Sequence, residues 1–143
     1  MKKSFLILLV FISLEVQSQT YNNFRIFPSS VTQTEPVIAV NPLNRQIMFV
    51  SGVTINTSGN FRSEGIYASI DGGQNWLGSD TCKGQNIVNH GGSPRVAIDK
   101  NGTFIITHIG SVFLGVYSHF SNDLGNTWSN SYTIYNIHLS YFL

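Results

Sequence analysis

The side chains able to act as acids, nucleophiles or metal ligands are few in this sequence: seven carboxylates, four histidines and one cysteine in 143 residues. Two of the carboxylates recur in one context. Asp71 lies in SIDGGQNW at residues 69–76, and Asp123 lies in SNDLGNTW at residues 121–128. Both stretches read Ser-x-Asp-x-Gly-x-x-Trp, with Thr127 preceding Trp128 in the second copy. That pattern is turn chemistry rather than acid–base chemistry. An Asp so placed folds its carboxylate back onto backbone N–H groups of its own turn, and Ser69 or Ser121 supports it with a hydroxyl. Gly73 and Gly125 take the positive φ that a side chain resists. Trp76 and Trp128 open the outgoing strand and bring a large apolar ring to whatever lies beneath.

The other reactive side chains show no working constellation. Asp99 sits in DKNG, a tight-turn context, and Asp80 is loop material with no legible partner. His90, His108, His119 and His138 lack close ligand spacing, so neither a metal nor a cofactor is expected. Cys82, the single cysteine, excludes an internal disulfide and reads as a buried, inert thiol rather than a reactive one. Gly72-Gly73 and Gly91-Gly92 stand in turns, not in a phosphate-cradling loop. The glycosylation sequons at Asn56 and Asn101 read as chance turns.

The elements that must carry these residues are short strands in two similar units. One opens with EPVIAVNPLNRQIMFVSGV at residues 35–53, the other with SPRVAIDKNGTFIITHIGS at residues 93–111. Pro36 matches Pro94, a separation of 94 − 36 = 58, and Ser69 matches Ser121, a separation of 121 − 69 = 52. The difference falls in the longer loop INTSGNFRSE, which carries Arg62, Ser63 and Glu64. A period of this size marks a repeat architecture. First and second strands are expected at residues 37–40 and 47–50, and at 96–98 and 104–106. Third strands are expected at 65–69 and 112–120, with Tyr67 and Tyr117 as matched packing positions. The runs are continuous rather than alternating, which predicts burial on both faces.

Residues 1–18 read as a signal peptide: Lys2 and Lys3 precede an apolar run of about ten residues, too short to span a bilayer. Removing them takes the balance from 8 basic and 7 acidic residues to 6 and 6, through loss of Lys2, Lys3 and Glu15. A neutral, charge-poor surface argues against nucleic acid and anionic lipid as partners. No other run is long enough for a membrane span, so the expected location is secreted or cell-surface.

The duplicated Ser-x-Asp-x-Gly-x-x-Trp stretch resembles the Asp-box, or BNR repeat, of sialidase-like β-propellers. The resemblance implies an all-β fold: an incomplete propeller of about two four-stranded antiparallel blades joined through Asp-box turns. The implied division is a leader at 1–18, a closing strand or linker at 19–34, one blade at 35–92, and a second blade with a truncated tail at 93–143. In that family the Asp-box is structural and lies away from the ligand site. Sialidases also carry Phe/Tyr-Arg-Ile-Pro, whose arginine belongs to a clamp on the substrate carboxylate. This chain has FRIFP, with Phe27 inserted before Pro28, so Arg25 is a candidate carboxylate ligand; the alternative is an exposed arginine on a closing strand. Arg95, after Pro94, is a second candidate if its strand faces a central channel, with a surface salt bridge as its alternative. The family's early acidic residue has no counterpart near Arg62, and its Tyr/Glu pair would fall in later blades. The leading expectation is a non-catalytic scaffold that binds glycan or extracellular protein. The alternative is the N-terminal part of an exo-α-sialidase-like glycoside hydrolase.

Overall fold

The computed structural model describes residues 24–58, 61–82, 90–110 and 115–135. The leader at 1–18, the start of the closing segment, Val112, His138 and the tail beyond residue 135 lie outside the described residues. Within them the chain is all-β, with no helix, and so none long and apolar enough to cross a membrane.

Two four-stranded antiparallel sheets follow one another along the chain. The first has β1 (Thr32–Val40), β2 (Met48–Asn56), β3 (Phe61–Ser69) and β4 (Leu77–Ser79) in that spatial order. The second repeats it with β5 (His90–Ile98), β6 (Phe104–Gly110), β7 (Val116–Ser121) and β8 (Tyr132–Tyr135). Short polar connections make the hairpins. Asn41 accepts through Oδ1 from the N–H groups of Leu43 and Asn44 at 2.8 and 3.0 Å, closing the turn before β2. Asp99 does the same for Asn101 and Thr103, both at 2.8 Å, with Gly102 at φ 86°. Arg62, Ser63 and Glu64, expected in a loop, are strand residues, because β2 and β3 pair without a break from Met48–Ser69 to Asn56–Phe61.

The registers also correct the match between Tyr67 and Tyr117. Met48 pairs with Ser69 and Phe104 with Ser121, so the residue two before each serine is equivalent: Tyr67 in the first sheet, His119 in the second. Tyr117 occupies the place of Gly65. The same alignment shows how the sheets meet. The core joins Phe49, Ile66 and Ala68 of the first sheet to Ile98, Phe104, Ile106 and Trp128 of the second. Phe49 is one residue past Met48, whereas Phe104 is the equivalent of Met48 itself. Because side chains alternate between faces along a strand, the two sheets meet through opposite, non-equivalent faces.

Burial on both faces holds for β2, where residues 49–54 are all buried. One side of β2 meets the second sheet. On the other, residues 24–31, which form no strand, bring Phe27 against Tyr67 with ring centroids 5.0 Å apart. It fails for β1 and β6. Ile38 is 60% and Val40 43% exposed, and β6 alternates buried with half-buried positions because no sheet among the described residues covers its far face.

Candidate functional site

The two Asp-containing turns use their polar groups internally. Ser69 donates to Asp71 Oδ1 at 2.8 Å, and its oxygen accepts from the Gly73 N–H at 2.9 Å; Ser121 does both for Asp123 and Gly125 at the same distances. The carboxylates then accept from the N–H of Asn75 at 2.9 Å and of Thr127 at 2.8 Å. Trp76 and Trp128 each donate from Nε1 to the carbonyl of their turn glycine, at 3.0 and 3.1 Å. Gly73 and Gly125 hold φ of 89° and 85°. Hydrogen bonds, led by the Asn75 N–H, hold the Asp71 carboxyl at about 2; those led by the Thr127 hydroxyl hold the Asp123 carboxyl below its usual range.

Arg25 and Arg95 are both exposed. The Arg25 guanidinium donates to the Ser29 carbonyl at 3.2 Å, and that of Arg95 to the Pro94 carbonyl at 2.7 Å. Among the described residues neither forms a salt bridge, so the surface ion pair offered as an alternative for Arg95 is not made. Asp80, which lacked a legible partner, is well supplied. It accepts from the Tyr67 hydroxyl at 2.8 Å and the Gln33 amide at 2.9 Å, and it is hydrogen-bonded to Ser29. Burial, followed by the Asp80 carboxylate, pushes the Tyr67 phenol well above its usual range.

The densest chemistry lies between the sheets. Glu64, fully buried on β3, points into the inter-sheet space, because Glu64 shares a face with Ile66 and Ala68. His108 from β6 and His119 from β7 enter from the second sheet, both buried, with their rings stacked 5.3 Å apart. His90, at the start of β5, places Nδ1 on Glu64 Oε2, and its side chain stays 21% exposed. Glu64 Oε1 is 3.8 Å from His108 Nδ1, too far for a hydrogen bond, and this buried oxygen has no hydrogen-bond partner. Cys82 completes the group, donating from Sγ to the Glu64 carbonyl at 3.0 Å. Burial, and then the Glu64 charge, push the Cys82 thiol up to about 12. Burial, and more weakly His108, push His119 downward.

Both buried imidazoles also meet backbone carbonyls. His108 Nδ1 faces the Ile109 carbonyl at 3.1 Å, and His119 Nδ1 faces the Ser129 carbonyl at 3.3 Å. A carbonyl only accepts, so both Nδ1 atoms carry hydrogen. The two Nε2 atoms lie 3.2 Å apart, within hydrogen-bond distance of each other. The sequence spacing of these histidines gave no sign of a grouping; the antiparallel register that sets β6 against β7, with β3 meeting β5 and β6 across the inter-sheet space, creates it.

Compared with protein-family models, curated proteins and solved structures, the chain matches none.

Proposed function

We propose that the two sheets are consecutive blades of an Asp-box propeller, exported behind the leader read at residues 1–18, and that the protein is a non-catalytic scaffold for glycan or extracellular protein. The observation that carries the blade reading is the use of opposite faces where the sheets meet. A two-fold sandwich would bury equivalent faces, whereas blades around an axis stack front to back. The hydrogen bonds that the two turns share, from serine, glycine N–H, the backbone N–H at Asn75 or Thr127, and tryptophan Nε1, support the Asp-box reading. The scaffold reading rests on how the candidate groups are occupied. Asp71 and Asp123 are taken up by their own turns, and Arg25 and Arg95 each bond a nearby carbonyl.

The test is a glycan array probed with the purified chain, run beside an aryl sialoside hydrolysis assay. Saturable binding without turnover is the expected result. Turnover abolished by Arg25→Ala would overturn the scaffold reading in favour of a glycoside hydrolase.

A further inference from the structure

We infer, independently of the propeller reading, that Glu64, Cys82 and His90 form a binding site for a single zinc-class divalent cation that pins the two sheets together. The three ligand atoms, a Glu64 carboxylate oxygen, Cys82 Sγ and His90 Nδ1, all lie within 4.8 Å of one another. Ligands in a tetrahedral zinc site, at about 2.0–2.3 Å from the ion, stand roughly 3.3–3.8 Å apart. The group therefore needs only small side-chain adjustments to reach that geometry, chiefly a modest opening of the Glu64–His90 contact.

A second, independent feature points the same way. Glu64 Oε1 is buried without a hydrogen-bond partner. Burying a carboxylate oxygen without a hydrogen bond is costly, and a cation bound to Glu64 offsets that cost. Cys82 and His90 are only partly buried, which leaves a route for the ion and a water at the fourth position. The ligand set also selects the ion. Thiolate and imidazole favour zinc-class metals, while calcium and magnesium require nearly all-oxygen shells.

The three ligands come from the middle of β3, from the segment after β4, and from the first residue of β5. A cation held by all three cross-links the sheets across the point where the chain passes between them. A chain with a single cysteine cannot make that link with an internal disulfide. Binding is non-redox: the Cys82 Sγ–H bond breaks, its proton leaves to solvent, and the thiolate donates an electron pair to the ion.

The experiment uses the full chain under reducing conditions. Zinc binding is measured by calorimetric titration and elemental analysis, and cobalt(II) serves as the spectroscopic probe. One bound zinc per chain is expected, with a higher Tm that chelator reverses and calcium does not reproduce. Cobalt is expected to give a thiolate charge-transfer band and intense tetrahedral d–d bands. Cys82→Ser should abolish the charge-transfer band. His90→Gln should weaken zinc binding by at least the roughly 10–100-fold that loss of an outer-shell partner costs. Glu64→Gln alters a fully buried residue, so Cys82→Ser is the deciding variant, with its folding checked by circular dichroism. Folded wild-type protein that binds no zinc, or folded Cys82→Ser that binds it with unchanged affinity, would overturn the assignment.

Discussion

Phe49 on β2 and Phe104 on β6 stack with ring centroids 4.6 Å and planes 9° apart, and both side chains are fully buried. This pair belongs to the core between the sheets, flanked by Trp128, whose ring lies 5.8 Å from Phe49. Truncating either phenylalanine to alanine removes its own transfer energy and leaves a cavity facing the other ring, at a cost of about 3–5 kcal/mol. The double variant should cost less than the sum, because each single change already abolishes the ring–ring contact. Urea denaturation of the four proteins of the cycle measures this. Strict additivity would show that the sheets do not depend on one shared contact.

Gly73 and Gly125 hold the same left-handed conformation, yet their surroundings differ. A methyl group on Gly125 would meet Ile66 Cγ2 at 2.8 Å, whereas the closest atom to one on Gly73 is Met48 Sδ at 3.4 Å. Both alanine variants incur the backbone cost of about 1–2 kcal/mol for an L-residue with positive φ. Gly125→Ala adds an overpacking term of about 1–3 kcal/mol. The expected order of Tm is therefore wild type, Gly73→Ala, then Gly125→Ala. Equal Tm values for the two variants would contradict the inter-sheet contact at Gly125.

Acid should loosen the turns. Asp71, Asp99 and Asp123 all have carboxyls below their ordinary range, held there mainly by hydrogen bonds from Asn75, Thr103 and Thr127 respectively. A folded-state pKa below the unfolded one, about 3.9, means that the unfolded chain binds more protons as the pH falls. The stabilisation is thus fully present above about pH 5 and disappears as the pH falls toward the Asp71 value of about 2. Urea midpoints taken from pH 7 to pH 2 should drop below pH 5. Asp71→Asn and Asp123→Asn should each flatten the drop. A wild-type midpoint constant to pH 3 would refute this account.

The outer faces of the two sheets should drive association. Ile38 lies 60% exposed on the far side of the first sheet, and Phe120 38% exposed on the far side of the second. Since the sheets already meet through opposite faces, these outer surfaces are the two mates of one such contact. Ile38→Lys or Phe120→Lys alone should then shift the chain toward monomer in size-exclusion chromatography with light scattering. If wild type and both variants are equally monodisperse monomers, the outer faces are not sticky in this sense.

Strands and turns were legible because they are local. Asp71, Gly73 and Asn75 lie within one turn, and their backbone partners are at most a few residues away, so composition and spacing describe them well. The Glu64–His90–His108–His119 cluster was not legible, because its members are brought together by register and by the meeting of two sheets. Sequence separation carries no information about either. The Tyr67–Tyr117 match failed on a related point: similar residues near similar turns were aligned by type, whereas the hydrogen-bond ladder aligns Tyr67 with His119. The unbroken apolar run at residues 37–40 suggested burial on both faces, but hydrophobicity records what a strand can bury, not what covers it.

The two tryptophans, equivalent in their turns, lie in unlike surroundings: Trp128 is 6% exposed beside Phe49, while Trp76 is only partly buried. This inequality gives the protein two intrinsic fluorophores that sense different events. Separation of the sheets would move the Trp128 emission toward the red and leave that of Trp76 nearly unchanged. Soluble quenchers should reach Trp76 first. With Trp76→Phe as the single-emitter control, docking of one sheet on the other becomes observable in real time, apart from the folding of either turn.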